Sequence, residues 1–311
     1  MRFNPKASLD TGRVSDRGGS GLGGGSNGIP IPGGVKAGGG AGMLIVLIIV
    51  LAASCLGGNG GSGLPGGMLG QGVGTDTTRM GDSERYANCQ TGADANEDVD
   101  CARVAVENSL YTYWSDLFER GGGTFRPATM STFSGATSTG CGQASSQVGP
   151  FYCPADQGIY LDTTFFAEVL EGQLGGQGGD FVEPYVLAHE YGHHVQNLLG
   201  TMGKVRTQRG ADSDAVRLEL QADCYAGMWT RAAEGTGEGV AIIEDLDEGD
   251  ITEALDSAKA VGDDRIQKRS GGRVDKEGWT HGSSEQRMRW FSTGYETGDL
   301  EACDTFSASS L

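Results

Sequence analysis

Apolar positions fall at helical spacing in several stretches of the chain. In ARVAVENSLYTYWSDLFE, residues 102–119, the positions Val104, Asn108, Tyr111, Trp114, Leu117 and Phe118 line one face and predict a helix. A second helix is expected over 182–199, where Val182, Val186, Leu187, Val195, Leu198 and Leu199 recur on most sides, with Gly200 as a left-handed stop. A third covers about 213–233. A fourth begins at Asp250, where Asp250-Ile-Thr-Glu253 has capping-box spacing. Ser283-Ser-Glu-Gln286 opens the last helix, which is expected to end near Gly294. Gly158–Asp162 is the clearest strand, followed by a short helix through Phe165 and Phe166. Residues 121–157, rich in Gly, Ser and Thr, offer only strand-sized pieces. The pattern is that of an α+β domain, mostly helical, with a small sheet.

One stretch departs from this alternation. Residues 43–56, MLIVLIIVLAASCL, are uniformly apolar, and the uncharged residues 37–42 bring the run to 37–56. Its 20 residues match the roughly 30 Å hydrocarbon core of a bilayer. Residues 18–74 hold 23 of the 55 glycines, so the run is flanked by segments that bury too little apolar surface to offset their ordering entropy. Arg2, Lys6, Arg13, Arg17 and Lys36 precede the run, and no basic residue follows until Arg79, which orients the N-terminus to the cytoplasm. A 42-residue lead carrying Asp10 and Asp16 is too long and acidic for a signal peptide. The expected organisation is a disordered Gly-rich cytoplasmic segment (1–36), a single transmembrane helix in the inner membrane (37–56), a Gly-rich linker (57–79) and an extracytoplasmic domain (80–311).

With 41 acidic against 23 basic residues the net charge is −18, which argues against nucleic acid as a partner. Setting Cys55 aside, six cysteines lie beyond the apolar run. An even number in an oxidising compartment points to three disulfides among 15 possible connectivities. Sequence-local pairing gives 89–101, 141–153 and 224–303. No CxxC spacing is present, so a zinc–thiolate site is not expected.

Three of the four histidines fall within His189-Glu190-Tyr191-Gly192-His193-His194. On a helix His189 and His193 project from one face, one turn apart, and can grip a single ion. Zinc suits two neutral imidazoles with a carboxylate, the fourth position being left to water, whose pKa falls to roughly 7. Glu190 is placed to take that water's proton. His194 points off this face and reads as structural. Glu219 and Asp223 are again one turn apart on an expected helix, and such like charges repel. The pair makes sense if Glu219 is the third ligand and Asp223 accepts the outer N–H of a ligand histidine.

These residues resemble the gluzincin arrangement of zinc metallopeptidases, HExxH followed by ExxxD. The words GPFYCPADQGIYLDTTFF (149–166), YVLAHEYGHHVQNLLG (185–200), RLELQADCYAGMW (217–229), GDITEAL (249–255), VGDDRIQ (261–267) and THGSSEQRMRWF (280–291) are similar to those of a bacterial membrane-anchored neutral zinc metallopeptidase family. The resemblance covers most of residues 80–305. It implies a zincin-like fold, one Zn2+ per chain on His189, His193 and Glu219, Glu190 as general base and acid, and a peptide or protein substrate. His281 is the remaining histidine, just before a helix N-terminus, and is a candidate donor to the developing oxyanion. Ile159–Leu161 is a candidate edge strand for an extended substrate. Two rival readings are a non-catalytic, zinc-stabilised binding or scaffold domain and a zinc amidase acting on cell-wall material. An intact Glu190 speaks against the former.

Overall fold

The computed structural model describes residues 1–19, 84–145, 148–233 and 241–311. The apolar run and the linkers lie outside the described residues. Among those described, no helix is long and apolar enough to cross a membrane. In chain order the helices are α1 (Gly92–Glu97), α2 (Val99–Arg120), α3 (Val182–Leu198), α4 (Asp214–Ala233), α5 (Glu248–Ala260), α6 (Asp263–Ser270) and α7 (Ser284–Thr297). The strands are β1 (Arg2–Phe3), β2 (Val14–Gly19), β3 (Thr129–Ser134), β4 (Ala136–Thr139), β5 (Gly142–Ser145), β6 (Phe151–Cys153), β7 (Gly158–Asp162) and β8 (Ile243–Asp245).

Local chemistry explains most of the boundaries. Asp98 caps α2 by accepting from the Asp100 amide, so this helix starts before residue 102. The capping box of α5 is Asp247 with Asp250, and the helix begins earlier than the Asp250–Glu253 spacing suggests. Ser283 and Gln286 form the capping box of α7 as expected. Gly294 is not its end; α7 runs on to Gly298, which adopts a left-handed φ of 62°. Gly294 serves a different purpose. A Cβ there would collide with the Cys224 carbonyl, and one on Gly227 with the Phe291 carbonyl, so the two glycines let α4 and α7 pack backbone against backbone.

The main sheet has the order β2-β3-β7-β6, with β2, β3 and β7 parallel and β6 antiparallel to β7. Ile159 and Leu161 point into the helical core beside Leu110, Leu187 and Tyr191, while Tyr160 joins Phe133 and Phe151 in a second cluster on the other face. Because β7 is hydrogen-bonded on both sides, Ile159–Leu161 is not a sheet edge. The last strand on that side, among the described residues, is β6. Three disulfides pair Cys89 with Cys101, Cys141 with Cys153 and Cys224 with Cys303.

The largest correction concerns the N-terminal segment. Residues 1–19 are folded onto the domain instead of forming part of a disordered tail. Phe3, Ala7, Leu9 and Val14 are buried, β1 pairs with β8, and β2 adds a strand to the main sheet. Side chains of α2 recognise the backbone here: Asn108 accepts from the Asp10 amide at 2.6 Å and donates to the Asp10 carbonyl at 2.8 Å. The Arg13 guanidinium donates to Glu107 at 2.8 Å and lies 4.1 Å from the centroid of the Tyr111 ring. Asp16 accepts from Thr132 at 2.9 Å and pairs with Arg85 at 3.3 Å. These partners lie about 70 to 120 residues away, so no local pattern announces them.

Glu107 is 1 % exposed, and removing its partner would leave a buried charge uncompensated. Arg13→Ala should therefore cost about 3 kcal/mol of stability in urea unfolding of the full chain. A loss under about 1 kcal/mol would mean the segment is not docked.

Candidate active site

Helix α3 is covered by the sheet on one side and by α4 and α7 on others, so its polar residues must be paired within the protein. His189 and His193 sit one turn apart with ring centroids 4.7 Å from each other. Gly192 lets α4 approach closely, its backbone facing that of Ala222. The crossing delivers Glu219: its Oε2 is 3.3 Å from His189 Nε2 and its Oε1 is 3.5 Å from His193 Nε2. Ligands held 2.0–2.2 Å from a tetrahedral zinc are separated by about 3.3–3.6 Å. Both imidazole–carboxylate separations match this, and the three residues form a cluster of two imidazoles and one carboxylate that could hold a metal ion.

The outer nitrogens of both rings are occupied. His189 Nδ1 is 2.8 Å from Asp223 Oδ1, and a carboxylate only accepts, so Nδ1 carries a proton and Nε2 faces the cluster. Asp223 is itself fully buried and accepts from Tyr185 Oη at 2.7 Å and from Arg287 Nε and Nη2 at 2.8 and 2.9 Å. Burial would raise this carboxyl, but Arg287 and His189 hold it down to about 2. Burial would likewise lower His189, yet Asp223 and Glu219 push it up to about 10. Asp223 acts from behind the ring, and Glu219 supplies the negative charge on the side where a cation would sit. Glu219 lies well below the usual carboxylate range: burial opposes this, and the charges of His193 and His281 with hydrogen bonds from His189 and His193 outweigh it. Glu190, 7 % exposed, is raised by burial against the opposing charges of His193 and His189.

Residues 3–306 match the family described as "Putative neutral zinc metallopeptidase". This chain belongs to that family. Among its relatives, YpfJ of Escherichia coli K12, an uncharacterized protein, is 40% identical over 315 residues, covering 99% of this chain and 100% of that protein. Uncharacterized proteins of Mycobacterium tuberculosis H37Rv (Rv2575) and Mycobacterium bovis (Mb2605) are 51% identical over 251 residues, 79% of this chain and 84% of each of theirs. No solved structure shows a significant match to the chain.

In this zinc metallopeptidase family member the loop before α7 brings His281 towards the same cluster. Asp263 Oδ2 accepts from the amides of Thr280, His281 and Gly282 at 2.8, 2.7 and 3.0 Å, which fixes the loop. Burial would lower the His281 imidazole; Glu219, and then Asp263, raise it, so the field of the carboxylate cluster reaches this ring. His194 turns the other way, contacting Tyr152 Oη at 3.1 Å and the Arg126 carbonyl at 2.6 Å, and ties α3 to the sheet. The structure thus gathers His189, Glu190, His193, Glu219, Asp223 and His281 around one place.

Sequence reasoning missed Tyr185, Asp263 and Arg287. Only Arg287 carried a signal, as an arginine one turn after Ser283 among the apolar positions of an expected helix. A second acidic group, Asp180, Asp250 and Glu253, lies elsewhere, with the Met1 amine 2.8 Å from both Asp180 and Asp250.

Asp223→Ala removes the acceptor that orients His189. Zinc affinity, measured by competition with a chromophoric chelator, should fall about 10- to 100-fold. An unchanged affinity would separate Asp223 from the metal.

Proposed function

We propose that this protein is a zinc-dependent endopeptidase that hydrolyses peptide bonds with Glu190 as general base. The observation that carries the reading is the convergence of His189 Nε2 and His193 Nε2 on the Glu219 carboxylate, next to Glu190, a buried glutamate whose charge His193, His189 and Arg287 favour against its burial. Bound zinc would supply a Lewis acid that polarises the scissile carbonyl and acidifies water.

The protein's own residues do the rest. Burial makes Glu190 a stronger base than an exposed carboxylate, fit to accept a proton from water and pass it to the leaving amine. His281, held by the Asp263-clamped loop and favoured in its protonated form by Glu219, would donate to the oxygen that gains charge. Asp223, with Arg287 behind it, keeps His189 in one tautomer. A scaffold with a structural zinc would not need a buried base beside its ligands. A cell-wall amidase would use the same groups, and no feature of the site favours that substrate over a peptide.

The three disulfides support an extracytoplasmic domain. We place residues 1–19 in that same compartment, since their buried side chains belong to the domain core. This differs from the expectation of a cytoplasmic N-terminus. Cysteines introduced at exposed Lys6 and Lys268 should react alike with an impermeant thiol reagent on intact cells. Labelling of Lys268→Cys alone would restore the single-pass topology.

The enzymatic test is cleavage of an unbiased peptide library by the full chain. Glu190→Gln should keep zinc while losing about 10²–10⁴ in turnover. His281→Ala should lose about 10²–10³. Zinc binding without cleavage by wild type would favour the scaffold or amidase readings, and a few-fold effect of His281→Ala would remove His281 from the chemistry.

A further inference from the structure

Two buried glutamines, Gln196 on α3 and Gln221 on α4, have no part in the chemistry described so far, yet they connect His193 to the C-terminal end of the chain. His193 Nδ1 is 2.8 Å from Gln196 Oε1. Gln196 Nε2 donates to the Leu218 carbonyl at 2.7 Å and to Gln221 Oε1 at 3.1 Å. Gln221 Nε2 donates to the Cys303 carbonyl at 3.0 Å.

The direction of this chain of bonds is forced. The carbonyls of Leu218 and Cys303 can only accept, so each amide must turn its nitrogen to its carbonyl. Flipping either glutamine would set oxygen against oxygen in a site where Gln196 is 0 % and Gln221 5 % exposed. Gln196 Oε1 is then the atom left to face His193, so His193 must carry a proton on Nδ1, and its neutral, ligand form has the free lone pair on Nε2 towards Glu219. His189 differs, because its partner Asp223 is a carboxylate with no orientation to choose. A neutral amide has one, and here the far end of the relay chooses it.

That far end is anchored. Cys303 is bonded to Cys224, which follows Asp223 on α4. Arg217, also on α4, donates to the Thr305 and Ala308 carbonyls and accepts from Thr305 Oγ1 at 2.6 Å through its own carbonyl. Thr305 is fully buried.

We propose that the disulfide-anchored segment Cys303–Ala308 is part of the metal site, and that Gln221 and Gln196 are positioning residues through which it fixes the tautomer and ring orientation of His193. The proposal rests on the metal-site part of the functional reading and is independent of what bond the enzyme cleaves.

The test uses the full chain, with zinc affinity measured by chelator competition and ligand geometry by the visible spectrum of the Co2+-loaded protein. Gln221→Met should weaken zinc binding by about tenfold or more and alter the Co2+ spectrum. Cys224→Ala/Cys303→Ala, which keeps the carbonyl but frees the segment, should act in the same direction. Gln196→Met, which removes the acceptor at Nδ1, should act in the same direction. Affinities within twofold of wild type and superimposable Co2+ spectra for Gln221→Met and the double cysteine variant would overturn the proposal.

If Gln221→Met fails to fold, the wild type decides. Its zinc-loaded form should show a slowly exchanging His193 Nδ1 proton with cross-relaxation to the Gln196 side chain, and its absence overturns the relay. A wild type that binds no zinc sinks the metal site and the relay together. A wild type that binds zinc but cleaves nothing removes only the peptidase reading, and the affinity comparison still tests the relay.

Discussion

Asp223 is the charge on which the centre of this protein depends. It is fully buried, and a lone carboxylate there would be severely destabilising. It is tolerable because α3 brings Tyr185 and His189, and α7 brings Arg287, so that three side chains from two helices converge on its two oxygens. The same convergence sets the helix spacing. Arg287 reaches Asp223 because α4 and α7 touch through Gly227 and Gly294, and Glu219 reaches the histidines because α3 meets α4 at Gly192. The glycines bring the backbones close, the ion pair makes the closeness favourable, and the cluster of His189, His193 and Glu219 is the geometric result.

The N-terminal segment is joined to this centre through the sheet. Strand β2 extends the parallel portion, and Arg13 neutralises Glu107, which faces α3 from α2 beside Leu187 and Tyr191. A segment read as a cytoplasmic tail therefore contributes a counter-charge to the core behind the candidate active site. The match to the metallopeptidase family begins at residue 3, consistent with the segment belonging to the domain. A membrane cannot separate residues whose side chains are buried in one another, so the docked strand constrains topology more directly than the count of basic residues ahead of the apolar run.

The parts legible in the sequence were those whose geometry is local. Histidines four apart on a helix, an acidic pair four apart on the next, and Ser283 with Gln286 at a helix start each require only the helical repeat. Sequence-local disulfide pairing succeeded for the same reason in the two 12-residue loops, and the third, across 79 residues, followed once the others were assigned. What stayed hidden was made by distant partners. Asn108 reading the Asp10 backbone, Arg287 beneath Asp223 and Asp263 gathering three amides leave no periodicity to detect. Gly294 misled because a glycine late in a helix marks either a stop or a close approach, and the sequence alone does not separate them. Strand β7 misled likewise: a short run of Ile-Tyr-Leu fits an edge or an interior strand, and only the neighbours decide.

The two outer shells of the cluster differ in kind, and the difference bears on how such a site is kept intact. The Asp223 side of His189 is electrostatic, and its Arg287 partner holds the carboxyl down to about 2. The Gln196 side of His193 is neutral, so its orientation must come from geometry alone. Neutral amides are set by whatever acceptors they meet, and here the last acceptor is the carbonyl of a cysteine tied back to α4, the helix that carries Glu219. A covalent clamp is what such an arrangement requires, because no charge would restore the relay if the C-terminal segment drifted. On this argument the Cys224–Cys303 bond does more than stabilise a loop: it fixes the direction of the hydrogen bonds behind one ligand, and in doing so it links the readiness of the metal site to the oxidising conditions under which that bond forms.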